Sequence, residues 1–189
     1  MQKISTAAAM SLVLAVGLFA MCSEADARTW ARSVSVHAAH GRGYARQDSV
    51  TRLAGYRSAS RSVQASNGRG YSANSSYSRV GGDVAANRSV QTNGGRGYSA
   101  SRSVDREPGQ VSAERSVQTN DGRGVTSSRD ANWGGGSYSG GATHTTSNGT
   151  SVGRSSSVTK NGDGSYSGSV VRTHADGSTS RRSKTLSRN

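Results

Sequence analysis

RSVQTNGGRGYSAS, residues 88–101, decides how this chain is read, because close relatives of it recur along the sequence and the rest reads as spacer. Its Gly-Arg-Gly core begins at Gly41, Gly68, Gly95 and Gly122, a constant step of 27 residues, and Val36, Val63, Val90 and Val117 each stand five residues ahead. A fixed step of this length marks a repeat architecture, in which each unit is one supersecondary element laid on the next.

Inside the unit the period is two. Val84, Ala86, Arg88, Val90 and Thr92 share one side of an extended segment, and Arg96, Tyr98, Ala100, Arg102 and Val104 share one side of the next. Ser89, Gln91, Gly97, Ser99, Ser101 and Ser103 point the other way. Strict alternation is a strand signal. Asn93-Gly94-Gly95, like Ser66-Asn67-Gly68 and Asn120-Asp121-Gly122, puts Asn or Asp where the backbone turns and Gly where φ must be positive, the chemistry of a short hairpin loop closed by a glycine bulge. Each unit reads strand, turn, strand. The expected fold class is all-β: a repetitive β-hairpin meander or thin solenoid of 27-residue units with a Val/Tyr/Arg face and a small polar face.

Residues 28–131 hold four such repeats. The first is looser, with Trp30, Arg32, Val34 and Val36 and then Arg46, Asp48, Val50 and Arg52 at alternate positions, and the last is truncated. Residues 132–141, NWGGGSYSGG, read as a Gly/Ser linker or a glycine-dense turn region. Residues 142–189 read as a second hairpin section that ends in a basic tail, with GSYSG at Gly136 recurring at Gly164.

Composition limits the core. After residue 27 there is no Ile or Phe, and two leucines and 15 valines supply most of the aliphatic surface of 162 residues. That is roughly a tenth of the chain, where less than about 20% is the compositional mark of disorder. A large conventional core is excluded, while stacked repeats need only a thin shared layer, so the composition argues for disorder and the repeat for order.

The first 27 residues read as a cleaved signal peptide: Lys3, a mostly apolar run from Ala7 to Cys22, then Ala25-Asp26-Ala27 where a signal peptidase reads small residues. Phe19-Ala20-Met21 is bulkier than a lipoprotein signal wants ahead of Cys22. The only cysteine then leaves with the leader, so the exported chain has neither a disulfide nor a thiolate site, which favours a bacterial protein of the periplasm, cell surface or medium. No membrane span is expected in the mature chain. Loss of Lys3, Glu24 and Asp26 raises the formal charge from +13 to +14, and 21 of the 23 remaining cations are Arg.

Regular arginine on the more apolar face argues against two architectures. In an outer-membrane barrel each would cost about 2–4 kcal/mol at the bilayer midplane. In a β-sandwich each would have to be desolvated. A single layer leaves the guanidinium heads in water and the stems over Val and Tyr.

Nothing in the sequence points to catalysis, a metal or a cofactor. His37 and His40 fall on opposite sides of an extended chain, the acids form no recurring pair, GSYSG lacks the central Ser of a nucleophile elbow, and NGDGS lacks the succession of acids of a calcium loop. The motif with binding chemistry is the Gly-Arg-Gly-Tyr box, since guanidinium forks hold phosphate and carboxylate while an aromatic ring stacks on a base or sugar. The candidate contacts are Arg42, Tyr44, Arg69, Tyr71, Arg96, Tyr98 and Arg123, joined by Arg181, Arg182 and Lys184 of the tail; Val125 replaces Tyr in the fourth box. Two functions fit: a structural or adhesive repeat protein that self-associates at the cell surface or in a matrix, and a module that binds a polyanion such as extracellular DNA, lipopolysaccharide or acidic polysaccharide.

Overall fold

The computed structural model describes residues 27–38 and 41–187. The signal-peptide reading, apart from Ala27, and the reading of His40 lie outside the described residues. Twelve antiparallel strands form one open sheet in sequence order, so the chain is a hairpin meander and not a solenoid. They are β1 (Arg28–His37), β2 (Gly43–Leu53), β3 (Tyr56–Ala65), β4 (Gly70–Val80), β5 (Asp83–Thr92), β6 (Gly97–Glu107), β7 (Gln110–Thr119), β8 (Gly124–Gly134), β9 (Ser137–Thr146), β10 (Ser151–Lys160), β11 (Tyr166–Thr173) and β12 (Thr179–Leu186).

The register pairs like with like. Val84 opposes Val104, Arg88 opposes Ala100 and Val90 opposes Tyr98, so the alternation read along one strand continues across its neighbour. A slip by one residue would send every Val to the serine side, which is why the pattern fixes the pairing. The apolar layer is thin. Val50, between Trp30 and Ala59, and Val104, between Val84 and Ala113, are the only buried hydrophobic residues among those described.

With so little burial, the backbone ladder and the turns hold the sheet together. The long turns, apart from the one between β10 and β11, gather on one rim, where Gly41, Gly68, Gly95 and Gly122 take positive φ as the loop chemistry requires. Gly149 extends the same step, and Gly177 follows. Two of these turns also bond through a side chain to the turn of the hairpin before: Asn93 Nδ2 donates to Gln64 Oε1 at 2.6 Å and to the Gly68 carbonyl at 3.0 Å, and Asn120 does the same to Gln91 and Gly95. The Gln and Asn of RSVQTN thus join one repeat to the next.

The stretch 132–141 is not a spacer between two sections. Asn132–Gly134 ends β8, Gly135 and Gly136 make the turn, and Ser137–Gly141 begins β9, which pairs with β8 from Val125↔Thr146 to Gly134↔Ser137. Its alternation survives the glycines, with Tyr138 and Gly140 on one face and Ser137, Ser139 and Gly141 on the other. Nor do Arg181, Arg182 and Lys184 lie in a free tail. They belong to the edge strand β12, which pairs with β11 along its whole length.

Candidate functional site

Strand alternation and register sort the charges by face. Every Arg and Lys within the twelve strands except Arg181 lies on the Val/Tyr face, and among the described residues Asp48 is the only acid there. The other strand acids, Asp83, Asp105, Glu107, Glu114 and Asp130, lie on the opposite face among serines. One side of a single-layer sheet is thus densely cationic and the other weakly acidic. Both are open to solvent.

The Gly-Arg-Gly-Tyr boxes divide between rim and face. Arg42, Arg69, Arg96 and Arg123 sit exposed in successive long turns, two strands apart and therefore about 10 Å from one another across the sheet. Tyr44, Tyr71 and Tyr98 begin β2, β4 and β6 on the cationic face, so each box turns its Arg to the rim and its Tyr inward along the strand. Tyr98 carries the Arg88 guanidinium 5.9 Å from its ring centroid, within cation–π range. The fourth box differs. Arg123 Nε donates to Asp121 at 2.8 Å, and Asp121 is held down to about 2 by hydrogen bonds from Thr119 and then Arg123, so that arginine is already neutralised. Of the tail residues, Arg182 and Lys184 join the cationic face and Arg181 the serine face.

Two troughs cross the cationic face. The first, about 490 Å³, spans β1–β5 and is lined by Trp30, Arg57, Arg61, Tyr71, Arg88 and Asp48 among others. Asp48 is 7% exposed and is clamped by Arg46 Nε at 2.7 Å and Arg61 Nε at 2.6 Å. Burial pushes its carboxyl up, but the hydrogen bonds from Arg61 and then Arg46 outweigh that and hold it below 3.8. The second trough, about 470 Å³, spans β6–β10, with Arg102, Arg106, Arg129 and Arg154 around a floor of small residues and Tyr138 at one side.

The sequence reading missed the second group, although one signal marks it. Asp48, Ser75, Arg102 and Arg129 hold the same place in successive 27-residue units, so the acid of the first unit becomes a cation in the third and fourth. Among the described residues no group of three His, Cys, Asp or Glu side chains could hold a metal, and no helix is long and apolar enough to cross a membrane. Comparison with family models, with curated proteins and with solved structures finds no significant match to this chain.

Proposed function

We propose that this is an exported, non-catalytic repeat protein of structural or adhesive type, which lies with its cationic face on a polyanionic polymer or surface and turns its serine face to solvent. The observation that carries the reading is the segregation of strand cations to one face with a single internal acid. A protein that needed only solubility would gain nothing from this sorting, because both faces are wet. Concentrating charge on one flat side instead raises the local field and the gain from releasing counterions on contact with a polyanion.

Self-association belongs to the same reading but needs the anion. Among the described residues β1 and β12 are each paired on one side only, and such edges invite pairing with another copy. They carry Arg28 and Arg32 on one side and Arg181, Arg182 and Lys184 on the other, so edge-to-edge contact sets cation against cation until a polyanion intervenes.

The test is titration of the exported chain, residues 28–189, with heparin, duplex DNA and vesicles bearing lipopolysaccharide, over a range of salt. We expect binding whose log K falls steeply with log salt, by about 10³ or more in affinity between 50 and 200 mM if six or more contacts form. Absence of binding to all three at 50 mM salt would refute the reading.

A further inference from the structure

The chain contains its own example of the ligand. In the first trough an internal carboxylate, that of Asp48, sits between two guanidinium groups at hydrogen-bond distance and is almost fully removed from water. In the second trough the equivalent places hold Arg102 and Arg129, and the counter-charge has disappeared. Arg102 stands directly opposite Arg115 across β6 and β7, and Arg154 directly opposite Arg172 across β10 and β11. Like charges facing each other across a ladder are destabilising. Among the described residues neither Arg102, Arg129 nor Arg154 meets a carboxylate, while the Arg106 head is engaged by the Gly82 carbonyl at 2.9 Å. Asp130 borders the trough, but its place in β8 puts it on the serine face.

The floor and wall narrow the kind of anion. Ala113, Ala131, Gly140 and Ala142 leave the floor low. A Cβ placed on Gly140 would stand 2.7 Å from the Tyr138 hydroxyl and 3.2 Å from its Cζ, so the ring lies along its strand over the glycine instead of standing upright. Tyr138 is 42% exposed. An exposed ring leaning over a glycine, in the trough that Arg102, Arg129 and Arg154 line, suits a sugar ring against the aromatic with a carboxylate held beside it.

We propose that the trough across β6–β10 is a binding site for an acidic polysaccharide, in which Arg102, Arg129 and Arg154 hold uronate carboxylates as Arg46 and Arg61 hold Asp48, and Tyr138 stacks on the sugar. This rests on the polyanion reading above and names its site and ligand. It also moves the contacts from the rim arginines of the Gly-Arg-Gly boxes to the middle of the strands.

The experiment compares the chain 28–189 and four variants for binding to alginate, neutral dextran, heparin and duplex DNA. We expect alginate to bind and dextran not to bind. Joint replacement Arg102→Gln, Arg129→Gln and Arg154→Gln should weaken alginate at least tenfold and flatten its salt dependence, while Arg42→Gln, Arg69→Gln and Arg96→Gln together should change it less than threefold. Tyr138→Ala should weaken alginate about tenfold. Arg102→Asp, which sets a carboxylate opposite Arg115 as Asp48 stands opposite Arg61, should abolish alginate binding in a protein whose thermal midpoint is unchanged or higher, so the loss is not unfolding. Alginate binding indifferent to the trough variants, or lost equally in the rim variant, would overturn the site. Duplex DNA, which carries no uronate, bound more tightly than alginate through the same three arginines would overturn the uronate assignment. Failure of every anion to bind would instead remove the polyanion reading itself.

Discussion

The two faces of this sheet are built from the same strands and solve the same problem differently. On the arginine face, side chains are long and the stems of Arg cover Val, Tyr and Trp while the heads reach water. On the opposite face they are short, and neighbours such as Ser49 and Ser60, Ser101 and Ser116, and Ser157 and Ser169 stand 2.8–2.9 Å apart, hydroxyl to hydroxyl. Among the described residues neither face is covered by a second layer. The difference teaches where the fold is held: what both faces share is the backbone ladder and the turns, and what distinguishes them, long cationic side chains against short hydroxyls, lies in contact with solvent.

The largest effect should come from breaking what the faces share. Val90→Pro deletes a backbone donor within β5, a strand paired on both sides. Proline inside such a ladder removes a hydrogen bond and is tolerated almost only at sheet edges and bulges, and a sheet with two buried valines among its described residues has little in reserve. The variant should lose its β circular dichroism signal at 25 °C, whereas Thr185→Pro in the edge strand should keep it. Equal tolerance at both positions would show that the apolar face, and not the ladder, carries the fold.

A smaller effect should follow from the one acid on the arginine face. The carboxyl of Asp48 lies below 3.8 in the folded chain, so its contribution is fully present above that value and is lost as pH falls through 3.8 toward the folded pKa. Asp48→Asn leaves Arg46 and Arg61 facing each other without it. Because those side chains are 38% and 48% exposed, solvent screens the loss to about 1–2 kcal/mol. Thermal midpoints measured from pH 7 to pH 3 should differ most between wild type and variant at pH 7 and converge at the acid end. A constant gap across the range would mean that Asp48 acts through shape and not through charge.

The legible part of the molecule was whatever repeats within one hairpin. The period-two pattern of residues 84–104 assigned each side chain to the face on which it lies, and the Asn-Gly turns placed the positive-φ glycines. The continuation past residue 131 was hidden because Arg and Gln drop out of the unit there, and of the Gly-Arg-Gly box only the step to Gly149 remains. The second trough was hidden for a different reason. Arg102 and Arg154 are 52 residues apart in sequence and come to line one trough only through the register of five strands, whereas the Gly-Arg-Gly box is contiguous and draws attention to the rim. The Asp121–Arg123 pair, two residues apart in one loop, was within reach of the sequence: an acid two positions before the box arginine marks it as already paired.

The smallest effect tests whether the serine face contributes anything to the fold. Ser101 and Ser116 oppose each other across β6 and β7 with their hydroxyls 2.8 Å apart, and both are exposed. An exposed hydroxyl pair exchanges one bond to water for one to protein, so its net worth is about 0.5 kcal/mol. Removing both partners leaves no orphan, because each serine is replaced by a methyl group that asks for nothing. The double variant Ser101→Ala, Ser116→Ala should therefore shift the thermal midpoint by no more than about 1–2 °C and leave alginate and DNA binding unchanged. A shift several times larger would mean that the hydroxyls act as one connected ladder, each bond polarising the next. The serine face would then be a structural element in its own right, and the division between a shared backbone that folds and two faces turned to solvent would hold for the arginine side alone.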